Sequence, residues 1–249
     1  VFADLSANVH NQWDRGLLGM ALPPNFPANP YVYVLYTYDA PPGQTAPVWN
    51  DVCANANDGR CVVTGRLSRL SANGTEQVLL HDWCQQFPSH SIGDIAFGAD
   101  GMLYVAAGDG ASFNVVDYGQ LPSGAPTNPC ADPANEGGAL RSQDVRTASD
   151  ETQLDGALLR LDPATGAAAP GNPNMSSADP DTRRIVANGL RNPYRITMRP
   201  GTNETWISDT GWNTWEEVNR VVNPIAGVTN FGWPCYEGNA RQSGYDSAN

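Results

Sequence analysis

The sequence predicts an all-β chain of the β-propeller class, on three observations. An apolar strand, a turn and a second strand rich in Tyr, Val or Trp recur three times. Two further strands, set apart from those pairs, each end in Arg-Leu before a Gly-containing turn. The composition is that of a turn-rich β protein: 25 Gly and 20 Pro in 249 residues, 41% hydrophobic and 16% charged.

The first pair runs from Leu17 to Leu22, crosses a Pro/Asn turn and resumes from Tyr31 to Tyr38. The second runs from Ile95 to Phe97, turns at Ala99-Asp100-Gly101 and resumes from Met102 to Ala107. The third runs from Arg195 to Met198, turns at Pro200-Gly201 and resumes from Thr205 to Ser208. Each ends in Asp or Gly at a loop: Asp39, Gly108-Asp109, and Asp209 before Gly211. The intervening strands are Val62 to Leu70 and Gly156 to Leu161. A strand pair, an outer strand and a polar turn, repeated at long spacing, is how propeller blades read. Insertions lengthen the spacing; the largest, 110–155, is rich in Gly, Pro, Asn and Asp, and a loop of that length is usually functional. Thr214 to Val221 reads as one or two helical turns at most. Blade material is assigned to 16–84, 92–190 and 193–249 of one propeller domain spanning 1–249. Three repeats are too few to close a ring, so the propeller is expected to be incomplete in this chain.

The formal net charge is -12, which repels phosphate backbones and anionic membrane surfaces and argues against nucleic acid as a partner. All 14 basic residues are arginine, so Schiff-base chemistry and a Walker-type lysine are excluded within this chain. No apolar run approaches the roughly 18 residues of a membrane span. Cys53 and Cys61 bracket a polar loop and read as a local disulfide, with Cys84–Cys130 as a second bond flanking one blade. Such bonds place the chain in a secreted, periplasmic or extracellular setting. Cys235 is the odd thiol, its partner expected beyond this chain.

Three motifs carry candidate chemistry. His90, in Pro88-Ser89-His90-Ser91, precedes an inner strand, where loops face the propeller channel and an imidazole can act as a general base. The alternative is a histidine that caps a turn. Arg191-Asn192 is held extended before Pro193, so both side chains are aimed; Arg191 could clamp a carboxylate and Asn192 orient a ligand. A plain surface turn is the alternative there. Ser208-Asp209-Thr210-Gly211-Trp212-Asn213, followed by Glu216-Glu217, is an oxygen-rich loop of the sort calcium takes, without the EF-hand spacing. Asp14-Arg15-Gly16 and Gly108-Asp109-Gly110 are two more polar sites at inner-strand ends.

Taken in order, Arg15-Gly16-Leu17-Leu18-Gly19, Asn29-Pro30-Tyr31-Val32-Tyr33-Val34, Asp100-Gly101-Met102-Leu103-Tyr104, Gly156-Ala157-Leu158-Leu159-Arg160-Leu161, Gly189-Leu190-Arg191-Asn192-Pro193 and Asn230-Phe231-Gly232-Trp233-Pro234 resemble the glucose/sorbosone dehydrogenase family. Those enzymes use pyrroloquinoline quinone (PQQ), held by calcium, to oxidise aldoses on a six-bladed propeller. The resemblance covers nearly the whole chain. It implies His90 as the base, Arg191 and Asn192 at PQQ and the reacting oxygen, and Gly211 and Trp212 as carbonyl ligands of Ca2+. Asp14 and Arg15 fall at the cofactor end of the same channel. Ser89 stands where the glucose enzymes carry Asp before the base, and Asp14 and Gly110 replace residues that contact the sugar there, so the sugar itself does not transfer, and the electron acceptor is left open. The family's later Lys and Arg contacts to PQQ would lie beyond Asn249. Two other functions compete: a non-catalytic propeller that binds glycans or proteins, and a calcium-dependent lactonase or esterase using Asp14, Asp109 and Asp209.

Overall fold

Side chains alternate across a β-strand, so a strand buried along its whole length must have a neighbour on each face. The structure, a computed structural model, describes residues 2–54, 59–122 and 128–248. The middle of the loop bracketed by Cys53 and Cys61, part of the 110–155 insertion, Val1 and Asn249 lie outside them. The first sheet is antiparallel, in the order β1 (Leu17–Ala21), β2 (Val32–Tyr38), β3 (Val63–Leu70) and β4 (Glu76–Gln85). The second contains β5 (Ile92–Phe97), β6 (Leu103–Ala107), β7 (Ala157–Leu161) and β8 (Ile185–Asn188), again in chain order. The third contains β9 (Pro193–Met198), β10 (Thr205–Asp209) and β11 (Glu217–Val221). A short β12 (Thr229–Asn230) returns to pair with β8 in parallel.

The middle sheet shows the stacking. Leu103, Val105, Ala107, Leu159 and Leu161 pack with Tyr33, Leu35 and Leu67 of the first sheet. The alternate residues Tyr104, Ala106 and Leu158 pack with Ile196 and Ile207 of the third. The three sheets are therefore consecutive blades. The first strand of the middle blade, β5, lies against the first strands of the other two, β1 and β9. The approach there is close: a Cβ on Gly93 would fall 2.3 Å from the Pro193 carbonyl oxygen, so only glycine lets β5 meet β9.

The expected helical turns at 214–221 are not present; Glu217–Val221 is β11, in register with β10 (Ser208 opposite Val218, Trp206 opposite Arg220). The ladder offered by β10 overrides a weak local preference. The α-helix seen among the described residues is Pro180–Arg184, where Asp179 caps the N–H groups of Asp181 and Thr182 and Pro180 occupies the first turn.

Cys53–Cys61 and Cys84–Cys130 are bonded, and Cys235 is free. The second bond ties the insertion to the end of β4 across 46 residues. Loop-closure entropy assigns such a bond about 4 kcal/mol. The variant Cys84→Ala/Cys130→Ala is predicted to melt about 10 °C lower by calorimetry; an unchanged Tm would show that the insertion is held by its other contacts alone.

Candidate functional site

The starts of β1, β5 and β9 and the ends of β6 and β10 lie at one end of the stack. The polar motifs at those ends therefore meet. A cleft of about 380 Å³ is lined by Trp13, Asp14, Ser89, His90, Phe113, Arg191, Asn192, Thr210 and Trp212. Five of the seven residues singled out by sequence share this wall: Asp14, His90, Arg191, Asn192 and Trp212.

His90 sits just before β5 and Asp109 just after β6. These strands pair with Ile92 opposite Ala107, and two residues further out on each side His90 Nδ1 lies 3.0 Å from Asp109 Oδ1. Asp109 is wholly buried, and it also accepts hydrogen bonds from Ala111 N (3.0 Å) and Trp233 Nε1 (2.7 Å). Burial opposes its ionisation, but the charge and hydrogen bond of His90, then Arg191, outweigh burial and hold the carboxyl below its ordinary value. When the imidazolium gives up one proton, an ionised Asp109 favours keeping the one on Nδ1, so that Nε2 is the nitrogen left bare. Nε2 then has no hydrogen bond to the described residues. His90 is more enclosed than a reactive base at a strand entry was expected to be, at 5% exposure, and reaches solvent through the cleft. Its backbone is left-handed (φ 49°), held by Gly110 N on its carbonyl (2.9 Å) and by its own N–H on Asp14 Oδ2 (3.1 Å).

Arg191 and Asn192 are fixed by Asp209, whose carboxylate accepts both backbone N–H groups at 2.6 to 3.2 Å. Burial pushes Asp209 up to about 7, against those same hydrogen bonds. The Arg191 guanidinium donates to the carbonyls of Thr210 (3.1 Å) and Gly211 (2.7 Å) and sits 5.4 Å from the centre of the Trp233 ring. Its Nε is buried without a partner. Trp212 is anchored by its N–H on Glu237 Oε1 (2.7 Å) and by Nε1 on the Phe113 carbonyl (2.8 Å). Glu237 also accepts the N–H groups of Asn213, Thr214 and Trp215. Burial opposes its charge, but those donors prevail and hold it below its ordinary value.

Arg15 does not line the cleft. It is buried, and its guanidinium donates to the carbonyls of Cys61 (2.7 Å), Gln85 (2.9 Å) and Gln86 (3.3 Å). It ties the entry of β1 to the end of β4, while its neighbour Asp14 points to His90.

The donor set fits a planar, carbonyl-bearing anion such as PQQ. His90 and Arg191 form one wall with an unpartnered guanidine N–H, and Trp212 supplies flat apolar surface beside them. At the expected calcium ligands, the Gly211 carbonyl accepts one hydrogen bond from Arg191 (2.7 Å), which leaves its second lone pair for a cation set beside the guanidinium charge. A separate acidic cluster, Glu136, Asp144 and Asp150, has carboxylate oxygens within 4.8 Å of one another and is not part of the cleft wall.

Sequence alone places Asp109 at the channel without showing that it pairs with His90, and it does not find Trp233 or Glu237. The β5–β6 register is the signal that finds the first. Because Asp109 is depressed below its unfolded value, its contribution to stability is fully present above about pH 4 and is lost as pH falls through the depressed value. In Asp109→Asn that acid limb of the stability curve is predicted to shrink, as read by denaturant titration from pH 2 to 6; an unchanged limb would show that Asp109 is not ionised in the fold.

The family profile described as Glucose / Sorbosone dehydrogenase matches residues 3–125 and 136–248. The chain is 27% identical over 238 residues to quinoprotein glucose dehydrogenase B of Acinetobacter calcoaceticus, covering 94% of this chain and 43% of that protein. It overlays the proposed oxidoreductase (glucose dehydrogenase) of Thermus thermophilus with a TM-score of 0.64 and 28% identity, across 96% of this chain and 57% of the other. Against the PQQ-bound aldose sugar dehydrogenase of Streptomyces coelicolor the TM-score is 0.62 at 23% identity, across 98% and 55%. The chain thus spans about half the length of these relatives, a partial match to six-bladed propellers. It belongs to the glucose/sorbosone dehydrogenase family.

Proposed function

We propose that the cleft serves a PQQ-dependent oxidation of an aldose or related alcohol, with His90 as general base. The single observation that carries this reading is the His90–Asp109 pair, set on the wall of a cleft that also holds Arg191. The chemistry that PQQ supplies when bound is acceptance of a hydride. His90 Nε2 takes the proton of the anomeric hydroxyl while the C1 hydride leaves, so the sugar loses two electrons and becomes the lactone. Asp109 keeps the imidazole oriented and stabilises it once protonated. Arg191 would offer its guanidinium to negative charge on a bound quinone, and Asn192, beside it, would orient the reacting oxygen. Asp14 borders the same cleft and fixes the His90 backbone. Calcium, when bound, would be held by the Gly211 and Trp212 carbonyls and would supply Lewis-acid polarisation. Two disulfides support an oxidising, secreted or periplasmic setting. Small sugars are the partners proposed, and nucleic acid is disfavoured by the net charge of -12.

His90→Ala is predicted to lower dye reduction with aldoses by about 10³-fold while PQQ affinity by titration calorimetry stays within about threefold. Unchanged turnover would remove His90 from the reaction. Absence of both PQQ binding and oxidation in the unsubstituted full-length protein would favour a glycan- or protein-binding propeller.

A further inference from the structure

We infer that the indole of Trp13, backed by Phe113, is a stacking platform for the pyranose ring of the sugar at the cleft mouth; this rests on the sugar-oxidation reading above. Trp13 is 58% exposed, an unfavourable state for a side chain of its size. It also holds a left-handed backbone (φ 56°), which bulky residues rarely adopt. It lies in a tight turn closed by Arg15 N on the Gln12 carbonyl (3.1 Å). The turn is anchored on both flanks without the indole: before it Gln12 Nε2 donates to the Cys53 carbonyl (3.4 Å), and after it Asp14 N donates to Pro88 O (3.1 Å) and the Arg15 guanidinium grips three carbonyls. Glycine would satisfy this backbone without steric strain. The fold therefore does not require tryptophan here, yet tryptophan is present, exposed and strained, on the wall of the cleft. Trp215, also about half exposed, is different, because its ring packs over Gly238.

The surroundings of Trp13 indicate the ligand class. Its ring meets Phe113 at 5.5 Å between centroids, and the Phe113 carbonyl accepts from Trp212 Nε1, so the aromatic rim continues across the mouth. Asp14, the next residue, touches the His90 backbone, which puts a ring lying on Trp13 close to the base. An aromatic face beside a carboxylate and the Asn192 amide suits a neutral polyol: its C–H face meets the indole and its hydroxyls meet Asp14 and Asn192.

The test is saturation-transfer NMR with glucose and maltose and no PQQ. Trp13→Gly is predicted to keep or raise Tm and to weaken transfer to the sugar ring protons by about fivefold, whereas Trp13→Phe keeps most of it. In the PQQ-loaded protein, KM for sugar rises by about the same factor with kcat and PQQ affinity little changed. Undiminished transfer in Trp13→Gly, or no transfer to the unsubstituted chain, would overturn the platform, as would loss of PQQ affinity in place of sugar affinity. Transfer that depends on Trp13 in a protein that oxidises no aldose would retain the platform and reject the oxidation.

Discussion

A carboxylate without solvent contact survives as a charge only if donors replace the water it has lost, and at Asp109 three converge: His90 Nδ1, Trp233 Nε1 and the Ala111 N–H. Each comes from a different part of the chain. The histidine belongs to the entry of the second blade, the amide to the large insertion, and the indole to the segment after β12. The Trp233 ring in turn lies under the Arg191 guanidinium. Removing the charge would leave an indole N–H and an imidazole N–H competing for a weaker acceptor. It would also weaken the electrostatic support of a buried arginine whose burial lowers its pKa against the pull of Asp109 and Asp209. The site is therefore one coupled network.

The backbone that supports this network is close-fitting. A Cβ on Gly108 would lie 2.1 Å from the His90 carbonyl oxygen, so the left-handed turn at His90 can close onto Gly110 only because residue 108 is glycine. Asp109 N donates to the Arg191 carbonyl (2.9 Å), which links the second blade to the third directly beneath the cleft. Strand ends from three sheets are thereby set within a hydrogen bond of one another.

Much of this is legible in the sequence. The repeated strand pairs around residues 17–38, 95–107 and 195–208 follow from alternation and Gly-containing turns, and so does the grouping of their ends at one mouth. Side-chain directions fixed by tertiary contacts are not legible there. Asp14 and Arg15 are adjacent, so they point apart: one reaches His90 while the other dives to the carbonyls at the end of β4. Local sequence gives no sign of which faces the channel. Glu237 lies more than 20 residues from the loop whose four N–H groups it gathers, a separation at which pattern carries no information. β11 escapes the sequence reading because the Thr214 to Val221 run has little preference of its own and takes its conformation from β10.

The central claim is that Asp109 sets the tautomer of His90 and so leaves Nε2 free to accept a proton. The ¹⁵N shifts of the His90 ring, from long-range ¹H–¹⁵N correlation on labelled protein above its titration range, test it most directly. The account predicts a protonated Nδ1 and an unprotonated Nε2, with Asp109→Asn disturbing that assignment. A ring protonated at Nε2 in the unsubstituted protein would contradict it.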